Sequence, residues 1–263
     1  MHIVVCIKQV PDAKNVRIDP ETCTLVRQGV ESIVNPHDWY AVEAALRFRD
    51  QYGGTVTTLT MGPPQAEEAL RETLALGVDG AVLLSDRAFA GADTWATSLT
   101  LARAIENLDP VDLVICGKQA IDGDTAQVGP GLAAQLDRPY TTYVRRLELV
   151  DGAQLRAERA TDFGYDVVQM PLPAVITVIR EIGDPRMPGL KHKMRARKQD
   201  IPVWGVADLH LDPDKVGLQG SYTQVVRVFS PPPRCDREMI DGGPDEQAEK
   251  LFELLKKAKV PGV

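Results

Sequence analysis

The chain has 263 residues, 44% of them hydrophobic and 25% charged, with a formal net charge of −7. That is enough for one large α/β domain or a domain with an appendage, and the acidic balance argues against nucleic acid as the main partner. No run of about 18 apolar residues occurs, and MHIVVCIKQV enters a strand pattern directly instead of a basic, apolar leader, so the cytoplasm is the expected location.

Taken in order, HIVVCIKQV reads as a strand, NPHDWYAVEAALRFRDQYGG as a helix and TVTTLTMG as a strand. PPQAEEALRETLALGVDG, AVLLSD, ADTWATSLTLARAIENLDP and DLVICG continue the alternation. Such a text implies right-handed βαβ crossovers and a doubly wound, mostly parallel sheet with helices on both faces, ligands lying at the carboxyl ends of the strands. Cys6, Cys23, Cys116 and Cys235 share no CxxC spacing, and His2, His37, His192 and His210 are scattered. Buried free thiols are therefore expected, not disulfides or zinc ligands.

Three segments could carry a ligand. In the first, VNPHD, Pro36 suits the first helical position and Asn35 reads most simply as its N-cap. The same helix start lies at the carboxyl edge near Cys6, Lys8 and Met61, where an amide could instead hydrogen-bond an adenine or ribose. Lys8 could neutralise phosphate or be a solvated strand-end charge. In the second, FAGADTWATSLTL, Asp93 is the expected cap, and Thr94, Thr97 and Ser98 stand at i, i+3 and i+4 on one face. Three hydroxyls beside a helix N-terminus suit a pyrophosphate, although Ser and Thr are also ordinary near helix starts.

The third segment, LVICGKQAIDGDTAQVGPGLAAQL, carries most. An apolar strand empties into a polar loop that opens onto a helix, whose first-turn N–H groups and macrodipole favour an anion. Gly123 permits close backbone approach, Asp124 is the expected N-cap and Gln127 completes a capping box; a well-capped helix with no ligand would read alike. Asp122 and Asp124 would repel phosphate unless they point away, cap the helix or hold ribose hydroxyls. No GxGxxG follows the first strand, and neither a Walker A lysine motif nor a GxSxG elbow is present. No spacing indicates general acid–base catalysis.

Beyond this helix, TTYVRRLELV, AQLRAERA and YDVVQMPLPAVITVI read as three strands with turns at Asp151-Gly152 and Phe163-Gly164, an antiparallel addition to the sheet. GDPRMPGLKHKMRARKQDIP is a basic, proline-rich surface loop leading into a short helix. Residues 1–203 are expected to form the α/β domain and 204–263 a C-terminal arm. In that arm Leu251, Leu254 and Leu255 stripe a terminal helix that packs on its own domain or on another subunit.

Together these segments resemble the β subunit of electron transfer flavoprotein (ETF) over nearly the whole chain. The carriers are VVCIKQVPD, VNPHDWYAVEAAL, TMGPPQAEEALRETLALGVDGAVLLSD, GKQAIDGDTAQVGP, ATDFGYDVVQMPLPAVITVIREIGDPR and KMRARKQDI. The resemblance implies an adenine nucleotide alpha hydrolase-like α/β fold, paired with an α subunit that carries an electron-transferring FAD. It puts nucleotide contacts on Cys6, on Asn35 to Asp38 and on Met61. Further contacts fall on Gly117, Gln119, Ala120, Asp122, Gly123, Asp124, Thr125, Ala126, Gln127 and Val128. Ordinary members hold AMP there; electron-bifurcating members hold a second FAD that accepts hydride from NADH and passes one electron to the α-subunit flavin and one to a low-potential acceptor such as ferredoxin or flavodoxin.

The ADTWATS run resembles the bifurcating subgroup, in which the residues matching Asp93, Thr94, Thr97 and Ser98 help hold the pyrophosphate. GDTAQVGP, YDVVQMPLPAVITVIREI and VFSPPPR point the same way, and Ala13 replaces an aromatic of ordinary members. The resemblance also makes 185–201 a docking segment for acyl-CoA dehydrogenase-type or quinone-oxidoreductase partners. Leu190 is its anchor, and Lys191, Arg195 and Arg197 are its steering charges. The C-terminal arm would pack on the α subunit.

Overall fold

The computed structural model describes residues 1–12, 17–18, 25–26, 32–108, 110–226 and 239–260. The elements in chain order begin with β1 (His2–Cys6), β2 (Gln9–Pro11), β3 (Arg17–Ile18), β4 (Leu25–Val26), β5 (Ser32–Val34), α1 (Pro36–Tyr52) and β6 (Thr55–Met61). There follow α2 (Glu67–Leu76), β7 (Gly80–Leu84), α3 (Thr94–Asn107), β8 (Leu113–Gly117), α4 (Val128–Gln135) and β9 (Tyr140–Val150). The chain continues with β10 (Gln154–Thr161), β11 (Gly164–Pro171), β12 (Ala174–Val178), α5 (Leu190–Ala196), β13 (Val203–Trp204) and α6 (Pro244–Lys257). Ala13, Cys23, Cys235 and the 228–234 stretch lie outside the described residues.

Nine strands form one sheet in the order β11-β10-β9-β12-β8-β1-β6-β7-β13. From β9 to β13 all neighbours are parallel, whereas β10 pairs antiparallel with both β9 and β11. This is the expected mostly parallel α/β sheet with an antiparallel addition. The chain winds outward from β1 through β6 to β7, then returns through α3 to β8 on the other side of β1. The direction of winding reverses between β1 and β8, so a ligand crevice belongs at their carboxyl ends, at Cys6 and Gly117.

Alternation along the central strands feeds two apolar layers, as the pleat requires. Ile3, Val5, Leu113 and Ile115 pack with Val42 and Leu46 of α1 and with Leu70 and Leu74 of α2. Val4, Cys6, Val114 and Cys116 face the opposite layer, with Leu101 and Ile105 of α3 and Leu132 of α4. Gly131 lets α4 lie close against α3, because a Cβ there would come within 2.4 Å of the Ser98 hydroxyl. Cys6 and Cys116 are buried free thiols.

Two expectations are corrected. YDVVQMPLPAVITVI forms two strands, β11 and β12, because Pro171 and Pro173 offer no N–H to a ladder. The apolar, wholly buried half, Ala174–Val178, enters the sheet between β8 and β9. The expected boundary after residue 203 also falls inside a unit that runs to Val226. Trp204 pairs with Leu84 of β7, the Asp208 carbonyl accepts from Asn107 (3.0 Å), and Thr223 bonds Asp93 (2.9 Å), so residues 204–226 stay with the α/β unit. The second unit holds α6, an amphipathic helix whose Leu251 and Phe252 are exposed.

Between β12 and β13 the chain crosses from the interior of the sheet to its far edge, passing β8, β1, β6 and β7. Side chains of the helices it crosses fasten it. Arg186 bonds Glu43 of α1 (2.9 Å) and Arg71 of α2 bonds the Ala196 carbonyl (2.7 Å). Among the described residues no helix is long and apolar enough to cross a membrane, and no group of three His, Cys, Asp or Glu side chains could hold a metal.

Candidate nucleotide site

The loop from Gly117 to Val128 leaves β8 at the predicted crevice. Its helix starts later than expected: the N-cap of α4 is Gln127, with no side-chain cap bond, and the expected capping box at Asp124 does not form. Asp124 and Ala126 adopt φ of 55° and 54°, left-handed conformations that a continuing helix excludes. Asp124 is instead held inside the loop, its N–H on the Ala120 carbonyl (2.8 Å) and its carboxylate on the Gln119 amide. The N–H groups of Thr125 through Gly129 have no acceptor among the described residues, and Pro130 contributes none. These neutral donors fit an anionic group, as a phosphate cradle requires. A Cβ on Gly123 would meet nothing within 4 Å, so its surroundings leave space for a ligand's approach.

The two acids that would repel phosphate are both tied off. Lys8 grips Asp122 with both carboxylate oxygens at 2.7 and 2.8 Å, so its ammonium is committed to the loop tip. Asp124 is occupied by Gln119, as above.

Asn35 and Asp38 do something sequence reasoning did not assign them. Asn35 stands at the N-cap of α1 but makes no side-chain cap bond. Its amide donates to Asp38 (2.9 Å) and to the Gln119 carbonyl (2.8 Å), while its oxygen accepts from the Ile121 N–H (3.1 Å). With both N–H groups spent inside the protein, Asn35 holds the loop and has no donor left for an adenine or ribose. Asp38 accepts from the Lys8 N–H (2.7 Å) and lies so close to Gly117 that a Cβ there would meet its Oδ1 at 2.3 Å. Burial pushes this carboxyl up to about 7, against the pull of Asn35, of the Lys8 N–H and charge, and of the Gly117 N–H.

Cys6 pairs in register with Cys116 beneath the loop, and the Cys116 thiol is raised well above its ordinary value by its hydrogen bond with Cys6 and by burial. Met61 ends β6 and packs against the layer beneath α3 and α4. His37 lies within the expected Asn35 to Asp38 contact stretch, and its Nδ1 is the one buried side-chain polar atom without a partner among the described residues. Burial and then the Lys118 charge lower its titration, against the nearby Asp124.

On the neighbouring helix, Asp93 is the N-cap as expected, accepting from the Trp95 and Ala96 N–H groups at 3.0 Å each. Thr94 donates to the Gln127 side chain (2.8 Å) and so joins this helix start to the loop. Thr94 and Thr97 are partly exposed, but Ser98 is buried and donates to the Thr94 carbonyl (2.7 Å). The three hydroxyls therefore do not converge on one space. Two remain at the cleft, and the third packs the seam between α3 and α4.

The basic segment presents Leu190, 76% exposed, with Met187 and Met194 also exposed. Lys191, Arg195 and Arg197 are all exposed, and Arg195 also bonds the Val78 carbonyl and so anchors α5. Upstream, the buried Glu43 accepts from the Arg186 N–H and guanidinium (3.0 and 2.9 Å), and Arg47 holds the Asp184 carbonyl (3.0 Å).

A family model described as the electron transfer flavoprotein domain matches residues 22–209. A protein named electron transfer flavoprotein subunit beta, from Thermoanaerobacterium thermosaccharolyticum, is 49% identical over 97% of this chain and 98% of its own length. The caffeyl-CoA reductase-Etf complex subunit CarD of Acetobacterium woodii is 49% identical over 99% of this chain and 100% of its own. Protein FixA of Azotobacter vinelandii is 46% identical over 96% and 92%.

Proposed function

Because the chain belongs to the electron transfer flavoprotein family, as the β subunit of a heterodimer with an α subunit, we propose that its carboxyl-edge loop binds FAD and serves NADH-driven electron bifurcation. The observation that carries this reading is the Thr94–Gln127 bond, which brings two helix starts together at one cleft. A single phosphate needs only the N–H groups between Thr125 and Gly129. A pyrophosphate gives the Thr97 hydroxyl a second phosphate to meet, and Thr94 joins it by exchanging its bond to Gln127 for one to phosphate.

Bound flavin would supply hydride acceptance and the release of single electrons. The residues of this chain bind and orient it. Backbone N–H groups of 125–129 would meet phosphate without adding charge, Asn35 and Lys8 fix the loop that presents them, and the paired Asp122 keeps its charge neutralised. Cys6 and Met61, at the ends of β1 and β6, would border the adenosine end. Leu190, with Lys191 and Arg197, would dock a transient redox partner; similarity to CarD, named as a subunit of a caffeyl-CoA reductase-Etf complex, supports an acyl-CoA-type partner.

A second reading has AMP in the same loop of a non-bifurcating β subunit, and the inward-facing Ser98 favours it by removing one expected donor. Cofactor counting on the αβ heterodimer decides. Two FAD per heterodimer support the first reading, whereas one FAD with one AMP replaces it by the second. Anaerobic NADH should then bleach the β-site flavin; two flavins left oxidised would remove the hydride-accepting role.

A further inference from the structure

We propose that Asp38 is the positioning residue of the nucleotide loop, its carboxylate anchoring the Asn35 amide and through it the path of residues 117–124. The proposal rests on the nucleotide reading of that loop. Every polar group bonded to Asp38 is a donor: the Lys8 N–H at 2.7 Å and the Asn35 amide at 2.9 Å, with the Gly117 N–H also stabilising its charge. A proton on Asp38 would therefore face a donor whichever oxygen carried it, and one contact would break.

Asn35 is the next link. An amide has two faces that differ only by exchange of O and NH2, and its orientation follows from its partners. Turned over, Asn35 would aim its oxygen at the Asp38 carboxylate and its amino group at the Ile121 N–H. Asp38, the Gln119 carbonyl and the Ile121 N–H all demand the same orientation, and the charged carboxylate is the partner that anchors it to the start of α1. Loss of the Asp38 charge weakens the one contact that ties Asn35 to its own helix, and so loosens its hold on the loop. Close packing completes the device, since the Oδ1 that receives Asn35 lies against Gly117, where any larger residue would displace it.

The charged and titratable groups around Asp38 are few. Lys8 and Cys6 come from the end of β1, Cys116 from β8, His37 from its own helix, and Lys118, Asp122 and Asp124 from the loop. Lys8 is occupied by Asp122 and Asp124 by Gln119. Burial brings the carboxyl to about 7, so its ionisation changes across neutral pH.

The test uses the αβ heterodimer, wild type and Asp38→Asn, between pH 5.5 and 8.5, with FAD and AMP as separate probes. Two readouts are taken: nucleotide affinity, and hydrogen exchange of the 117–124 segment corrected for intrinsic rates. Expected for the wild type is a rise of about tenfold in loop protection and in affinity as pH increases through 7. In Asp38→Asn both are expected at the low-pH level and flat with pH. Wild-type protection that is flat or falls with pH overturns the proposal, as does an Asn variant with the wild-type profile. A wild type that binds neither probe yet keeps its pH-dependent protection overturns the nucleotide reading and leaves the Asp38 assignment standing.

Discussion

Thr94 and Gln127 face each other across a 2.8 Å hydrogen bond that joins the first residue of α3 to the N-cap of α4. Two helices of the same layer thus begin side by side, and the positive ends of their dipoles point into one cleft.

Replacing Thr94 and Thr97 together by valine removes the hydroxyls and leaves the backbone donors. A hydrogen bond to a charged group contributes about 1.5 to 3 kcal/mol, so β-site FAD affinity is expected to fall at least tenfold. Flavin content of the purified heterodimer should drop from two towards one, with the α-subunit flavin retained. A ratio that stays at two removes both threonines from the site.

Asn35→Leu strands the Gln119 carbonyl, the Ile121 N–H and Asp38 in a region where Asn35 itself is 1% exposed. Leaving buried polar groups unpaired costs about 2 to 4 kcal/mol in total. Urea denaturation should show that loss at unchanged slope, together with loss of bound nucleotide.

Asp38 predicts opposite signs for two quantities. Its carboxyl is raised from 3.8 to about 7, so the folded state holds a proton that the unfolded chain has released in between. The stability this gives is complete below about pH 4 and is lost as pH rises towards 7, amounting to about 4 kcal/mol at most. Wild-type stability should therefore fall relative to Asp38→Asn from pH 4 to 7, measured by denaturant titration, while protection of the 117–124 loop rises.

Glu43 titrates the other way. Burial works to raise its carboxyl, but the hydrogen bonds of Arg186 and then Arg47 outweigh burial and hold it below 4.5. Its stabilisation is present above that value and is lost as pH falls below it. Glu43→Gln leaves Arg186 and Arg47 short of a counter-charge and should cost about 3 kcal/mol at pH 7. The difference from wild type should shrink at pH 3. Limited proteolysis around 184–189 should quicken in the variant.

Leu190→Ala changes a side chain that is 76% exposed, so thermal stability should stay within about 0.5 kcal/mol of wild type. Dissociation from a reductase partner of the acyl-CoA type should accelerate by about tenfold or more if the leucine is an anchor. Unchanged dissociation would place docking elsewhere.

The strands and helices of the sheet were legible because apolar alternation and helix caps such as Asp93 are local signals. The start of α4 was not, since it turns on Asp124 and Ala126 taking left-handed conformations that neither residue type announces. Asn35 was recognisable as a helix start, but its work depends on Gln119 and Ile121, far along the chain, and only the sheet brings them together. The orientation of Ser98 was hidden for a related reason. Helical spacing gives the face a residue shares, but the seam with α4 through Gly131 decides which way its hydroxyl is used. Nothing in composition marked Glu43 as buried, because its partner Arg186 arrives from the segment that crosses the helix late in the chain.

That crossing segment also sets an order of assembly. Strand β7 has β6 on one side, and its other side receives β13 only when Val203 and Trp204 arrive, after the chain has passed over α1 and α2. A nascent or truncated chain that stops short of residue 203 therefore presents β7 as a bare sheet border, the kind of edge through which chains associate. The basic span 185–201 is thus also what delivers the strand that shields the sheet from its own kind.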